Sequence, residues 1–268
     1  MFDVKDKVAV ITGAGGILCS EMAKVLAKNG CKVALLDIRL ESAQQVADQI
    51  NADNGNALAV ACNVLEKASI EAAKDQILQA FGKVDILING AGGNKPDATT
   101  SADKTFFDIP PEAIQWVFNL NFLGAVLTTQ VFGKLFCEQD DGCVINISSM
   151  SADRPLTRTV SYSAAKAAIS NFTQWMAVYF NQEYSKNIRV NAIAPGFLLT
   201  EQNYFLLKNK DESDTERGKN VLANTPMYRY GTPYELCGAI VWLCSSDASF
   251  VNGAIIPIDG GFSAFSGV

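Results

Sequence analysis

The 268-residue sequence contains no histidine, and that absence removes whole classes of chemistry. Ser-His-Asp and Cys-His nucleophilic catalysis need an imidazole, and so do H-E-x-x-H sites and the other histidine-containing zinc centres. If the chain is an enzyme, its proton transfers fall to Tyr, Lys, Asp, Glu or Cys. Paired thiols are missing as well. Seven cysteines (Cys19, Cys31, Cys62, Cys137, Cys143, Cys237 and Cys244) are scattered without a single C-x-x-C spacing. Most lie in apolar segments, where a free thiol behaves as a small hydrophobe. A reducing compartment suits them. No apolar run reaches the length of a membrane span before Asn, Gly or Ser interrupts it. The N-terminus enters an expected strand too soon to leave room for a signal peptide, so a cytoplasmic protein is expected. Basic charge is scarce too: formal net charge is −6 and pI about 4.8. With no basic stripe interleaved with aromatics, nothing attracts a phosphate backbone. The expected partner is a small molecule rather than nucleic acid or membrane.

What is present is an α/β rhythm. Hydrophobic residues make up 49% of the chain against 19% charged, enough for a sizeable core. Val/Ile/Leu-rich runs at 7–12, 32–37, 57–61, 84–88, 143–148, 188–193 and 254–258 read as strands. Their near-continuous apolar character suits parallel strands covered on both faces. Helical periodicity occupies 17–29, 40–52, 66–81, 111–138, 161–184, 215–223 and 233–245. Right-handed crossovers between such strands give a Rossmann-type, doubly wound parallel sheet of about seven strands. With no linker and no repeat, one domain over 1–268 is expected. Two stretches break the rhythm, 92–112 and 196–230, and both emerge where parallel sheets bind ligands. The second is the expected substrate-loop region. Its charged run from Lys208 to Lys219 is expected to be mobile.

The first strand leads directly into a Gly-rich turn, Thr12 to Cys19, and then a helix. Gly13, Gly15 and Gly16 let the backbone approach a pyrophosphate, and the helix start, with Ile17 and Leu18, attracts its charge. Leu18 stands where G-x-G-x-x-G would have its third glycine. The second strand ends at Asp37, 24 residues after Gly13, near the spacing of a ribose-binding acid. A carboxylate there repels a 2′-phosphate, which favours NAD over NADP. The other reading of Asp37 is a helix cap. Arg39 could accept a 2′-phosphate, or it could be a solvated charge at the start of the next helix.

The fifth strand ends at Ser148-Ser149, and Tyr162 and Lys166 follow at a helical spacing of four. A free phenol titrates near ~10, and a nearby ammonium lowers that value. A serine hydroxyl can then polarise a substrate oxygen while the phenol exchanges its proton. The spacing alone is weak, because Tyr204 and Lys208 share it. Tyr162 is distinguished by the serines at the strand end, whereas Asn191, inside a strand, lies thirteen residues before Tyr204.

Over essentially its whole length the sequence resembles the short-chain dehydrogenase/reductase family. The features that carry the resemblance are the Thr12–Cys19 turn, Asn89-Gly90-Ala91-Gly92, Asn121, Ser149 thirteen residues before Tyr162, Pro195-Gly196 with Thr200, and Asp259-Gly260-Gly261. The resemblance implies Tyr162 as general acid/base, Ser149 as substrate-oxygen donor and Lys166 as tuner of the phenol and ligand of the nicotinamide ribose. It further implies Asn121 as holder of a relay water and Asn63 with Val64 beside the adenine. Asn89, Ala91, Gly92, Pro195, Gly196 and Thr200 would line the NAD site. The chain departs from the family pattern at Ile17 and Cys19, where glycines are usual. It departs again at Gly90 in place of the second Asn of N-N-A-G, and at Asn63 in place of Asp.

Finer segments, such as GAGGNKPDATT and PGFLLTEQN, resemble the family's D-mannonate oxidoreductase branch. That implies a sugar-acid substrate, with Asn94, Arg154 and Asn203 as candidates for its polar groups and Ser149 at its reacting oxygen. The asparagines could equally be turn formers, and Arg154 a helix-end ion pair. The alternatives are a dehydrogenase of gluconate, deoxy-gluconate or another polyol, or a non-catalytic nucleotide sensor. The family is often tetrameric, and the apolar tail (Phe262, Phe265, Val268) suits an interface or packing on its own subunit.

Overall fold

The computed structural model describes residues 2–201 and 203–267, so Val268 of the apolar tail and Gln202 of the PGFLLTEQN segment lie outside the described residues. Seven strands form one parallel sheet among those residues: β1 (Val8–Thr12), β2 (Lys32–Asp37), β3 (Asn56–Ala61), β4 (Ile86–Asn89), β5 (Gly142–Ile147), β6 (Ile188–Pro195) and β7 (Ile255–Ile258). Their order is β3-β2-β1-β4-β5-β6-β7. Alternate side chains of a strand point to opposite faces, and both faces are apolar. Ala9 and Ile11 pack with helices α1 (Ile17–Lys28), α2 (Leu40–Ala52) and α9 (Cys237–Cys244). Val8 and Val10 pack with α3 (Lys67–Phe81), α5 (Gly124–Gln139) and α6 (Val160–Glu183). Each fully buried side chain of this kind contributes about 1.5–3 kcal/mol of transfer free energy, which is why the strands read as unbroken apolar runs. The chain reverses direction across the sheet at β1, between β2 and β4. A crevice opens there at the carboxyl ends of the strands.

Two expectations need correction. The helix expected over 111–138 is α4 (Pro111–Phe118), a π-helical turn (Asn119–Leu123), and then α5. This 29-residue stretch contains an 18-residue window of mean hydropathy 1.3, by length and composition long and apolar enough to cross a membrane, and half of that window is buried. Phe132 and Phe136 are packed against the sheet.

The charged run from Lys208 is also more organised than expected. A short helix α7 (Tyr204–Leu207) leads through a Lys208–Asp214 ion pair of 2.9 Å into α8 (Glu216–Ala223). Thr215 caps α8 by accepting from the Gly218 amide at 3.0 Å and anchors it by donating to the Leu206 carbonyl at 2.8 Å.

Candidate active site

A cleft of about 520 Å³ runs along the carboxyl ends of β1, β2, β4, β5 and β6. At its first end the chain turns from β1 into α1. Gly13 has φ +66°, and a Cβ there would stand 2.8 Å from Ala91 Cα, so both conformation and space demand glycine. Helix α1 begins at Gly16 with no side-chain cap and no acidic residue in its first turn. Gly16, Ile17 and Leu18 face the cleft, leaving a bare helix N-terminus suited to a phosphate. The Asp37 carboxylate is buried at the end of β2. It accepts from the Gly15 amide at 3.0 Å and the Arg39 amide at 2.9 Å. Gly15 thus ties the turn to β2 rather than lining the cleft, and Arg39 is the exposed residue just before α2, on the rim of the cleft. Asn63 and Val64 lie on the wall beyond Asp37. The Asn63 side chain accepts from the Leu65 amide at 3.1 Å and donates to Glu66 at 2.8 Å.

The N-G-A-G segment divides its labour. Ala91 and Gly92 line the cleft, whereas Asn89 is buried in the sheet. Its amide donates to Asn146 at 2.8 Å and Thr129 at 3.0 Å and accepts from Thr128 at 2.6 Å. Asn89 is therefore a strand clamp, because β4 points it into the core. At Gly90 an added Cβ would overlap Cys19 Sγ and stand 2.9 Å from the Thr12 carbonyl. The sulfur of Cys19 fills the space that a side chain at residue 90 would need.

The other end of the cleft holds the reactive groups. Ser148 and Ser149 follow β5, and their hydroxyls differ in use. Ser148 donates to the Lys166 carbonyl at 3.2 Å and bonds Ser170 at 2.7 Å. Ser149 accepts from the Ser151 amide at 3.1 Å and hydrogen-bonds the phenol of Tyr162. Tyr162, in the first turn of α6, packs against Ala98, Ala113 and Val117. Lys166 is buried one turn later. Its ammonium donates to the Ile147 carbonyl at 2.7 Å and lies 5.5 Å from the Tyr162 ring centre.

The expected lowering of the Tyr162 pKa is not realised. Burial raises it, opposed only by the Ser149 hydrogen bond. The ammonium faces a carbonyl and the ring, and burial brings Lys166 down to about 8. An unfolded chain then binds more protons at this lysine between about 8 and 10.5, so stability rises with pH across that window. Relative to Lys166→Met, the cofactor-free protein is expected to gain up to about 3 kcal/mol over it, measured by chemical denaturation of both proteins at several pH values. A flat difference would contradict the burial of a charged Lys166.

Asn121 sits inside the π-helical turn. Its carboxamide oxygen accepts from the Gly93 amide at 3.1 Å, and its NH₂ donates to the carbonyls of Gly93 (2.6 Å) and Val117 (2.8 Å). Both amide hydrogens are thus spent within the protein, fastening the loop 92–112 to the helix. Only the second lone pair of its oxygen is left for the expected water.

Pro195, Gly196 and Thr200 form the far wall. Asn203 also lines the cleft, but its side chain accepts from the Thr200 amide at 2.9 Å and donates to the Leu198 carbonyl at 2.7 Å. Asn94 is away from the cleft, donating to Thr99 at 3.0 Å. Arg154 lies in a neighbouring groove, its guanidinium donating to the Ser263 carbonyl at 3.2–3.3 Å. Tyr204 begins α7, and its partner by spacing, Lys208, is committed to Asp214. Sequence reasoning passed over Phe197, Arg158 and Arg217, which shape the neighbouring groove. No local pattern joins the two arginines, which meet only through the folded arm.

Comparison with known proteins agrees with this geometry. A family model described as enoyl-(acyl carrier protein) reductase matches residues 14–263. The uncharacterized oxidoreductase UxuB of Bacillus subtilis is 50% identical, over 98% of this chain and 96% of its own. A solved structure from Haemophilus influenzae, provisionally described as a D-mannonate oxidoreductase with bound NAD, is 49% identical. It superposes with a TM-score of 0.94, over 99% of this chain and 98% of that one. A 7alpha-hydroxysteroid dehydrogenase of Escherichia coli is 34% identical, over 95% of this chain and 93% of its own.

Proposed function

Because this chain belongs to the short-chain dehydrogenase/reductase family, we propose that its cleft interconverts a secondary hydroxyl and a ketone on a sugar acid, D-mannonate and D-fructuronate. The observation that carries the reading is one cleft holding a bare helix N-terminus at one end and a Ser149–Tyr162 hydrogen bond backed by Lys166 at the other. The protein is an NAD-dependent oxidoreductase. The uncapped α1, the buried Asp37 carboxylate and the glycine turn fit the pyrophosphate and adenosine ribose of NAD. Val64, Ala91, Gly92, Pro195, Gly196 and Thr200 would hold the rest. When bound, NAD supplies the hydride acceptor. Ser149 would hold the substrate oxygen, and Tyr162 would take or return its proton. Lys166, with two ammonium hydrogens beyond the one given to Ile147, would bind the nicotinamide ribose. Asn121 would position the loop over the site.

The sugar-acid substrate draws support from the 49%-identical relative. The stretch 196–230 would be the substrate loop of a single domain over 1–268. The seven free cysteines suit the cytoplasm. The exposed Trp175 and Val178 of α6, with Tyr184 just beyond its end, suit a homotetramer.

Initial rates over a panel of aldonates, hexuronates, simple alcohols and steroids, each with NAD(H), test the substrate. Activity confined to the alcohols or steroids rejects the sugar acid. Asp37→Ala is expected to lower the ratio of kcat/KM for NAD over NADP by about tenfold or more, since one charge-assisted contact is worth about 1.5–3 kcal/mol. A wild-type enzyme preferring NADP would refute the ribose assignment.

A further inference from the structure

Beside the cleft, and sharing the wall formed by Phe197, lies an open groove of about 580 Å³. Arg158 and Arg217 both line it, from distant parts of the chain. Arg158 stands four residues before Tyr162, with φ +73° and its carbonyl accepting from the Thr100 amide at 3.0 Å. A non-glycine residue at positive φ stores strain that the surroundings must compensate. Arg217 is half-buried in the first turn of α8, and its pKa is lowered by burial and by the charge of Arg158. The next residue, Gly218, packs so closely on Leu207 and Tyr230 that a Cβ there would clash, which fixes the helix and with it Arg217.

Two guanidinium groups thus repel each other across a groove in a protein of net charge −6. Neither takes part in any ion pair among the described residues. Glu216 borders the same groove, but it is exposed and paired with Lys219 at 2.7 Å. Arg154 is held by the Ser263 carbonyl. Like charges brought together without a counterion are destabilising unless an anion joins them, and guanidinium is the group best shaped for a carboxylate.

We propose that Arg158 and Arg217 together bind the carboxylate of the substrate, so that they, rather than Arg154, set the preference for acids over neutral polyols. This rests on the sugar-acid reading above. The groove meets the reaction cleft at Phe197, whose ring packs edge-on against Phe262 at 5.5 Å. A polyhydroxylated chain could lie across that aromatic wall, with its acid end in the groove and its reacting hydroxyl at Ser149.

The test compares D-mannonate and other aldonates with the alditols of equal length, on wild type, Arg158→Gln, Arg217→Gln and Arg217→Lys, all saturated with NAD. Each Gln variant is expected to raise KM for aldonates by about 10–100-fold, the loss of a charge-assisted contact, with kcat little changed. Alditol turnover should stay unaltered, which also reports an intact fold, and Arg217→Lys should recover part of the loss. Thermal melts of the NAD-loaded proteins add a readout independent of turnover. Aldonate should stabilise wild type and fail to stabilise Arg217→Gln. Aldonate turnover with unchanged KM in both Gln variants would overturn the arginine pair alone. A wild type that neither turns over nor is stabilised by any aldonate would overturn the sugar-acid reading and this inference together.

Discussion

Tyr162→Phe is expected to lower kcat by about 10³-fold, within the range of a lost general acid/base, while NADH still binds with wild-type affinity. The phenol is the proton-carrying group that meets both the cleft and the Ser149 hydroxyl, and phenylalanine removes it without changing the ring's packing on Ala98, Ala113 and Val117. Fluorescence titration with NADH and steady-state rates on the same preparation separate the two effects. Turnover within tenfold of wild type would sink the assignment. The wild-type pH profile should carry the same signature. Burial raises the Tyr162 pKa, so the protonated phenol dominates near neutrality and is ready to donate. Ketone reduction should therefore be flat with pH there, while alcohol oxidation, which needs the phenolate, should rise towards about tenfold per pH unit. Tyr204→Phe is the control and should leave proton transfer intact.

Gly90→Asn is expected to destabilise the protein by about 3 kcal/mol, the upper part of the range for overpacking a core, because its Cβ would overlap Cys19 Sγ. The loss should be partly recovered in the double variant with Cys19→Gly, which makes the required space. Cys19→Gly alone should cost about 1 kcal/mol, as a glycine introduced into a helix. Urea denaturation of the four proteins measures the coupling, expected at about 1–3 kcal/mol for residues in contact. Additive losses would show that the two positions do not share one space. With coupling of that size, two separate departures from the family pattern, a cysteine for a glycine and a glycine for an asparagine, are two halves of one exchange.

The sheet was legible because its five inner strands are buried on both faces. Runs such as Val8–Thr12 and Lys32–Asp37 lack the polar alternation that would make a strand ambiguous. Asp37, Ser149, Tyr162 and Lys166 could be found because each is placed by the end of a strand or the spacing of a helix. Asn89 misled because it is still the last residue of β4 and faces the core, where Thr128 and Asn146 hold it. The phenol's raised pKa was not readable, because spacing places Lys166 near the ring but does not say that its ammonium turns to Ile147. Arg158 and Arg217 were invisible for a different reason. Their encounter depends on α8 being docked by Thr215 and Gly218, a tertiary fact with no periodic trace.

The π-helical turn at Asn119–Leu123 has a consequence for phase. An i→i+5 bond closes a turn holding one residue more than the i→i+4 bond of an α-helix, which offsets everything downstream by roughly 100° of rotation. Before the turn, Ala113 and Val117 look towards Tyr162. After it, Phe132 and Phe136 look into the sheet. An uninterrupted α-helix of the same sequence would swing one of these faces out of register with its neighbour. The extra residue lets one continuous rod serve two surfaces, and Asn121 lies at the middle of the turn that supplies it.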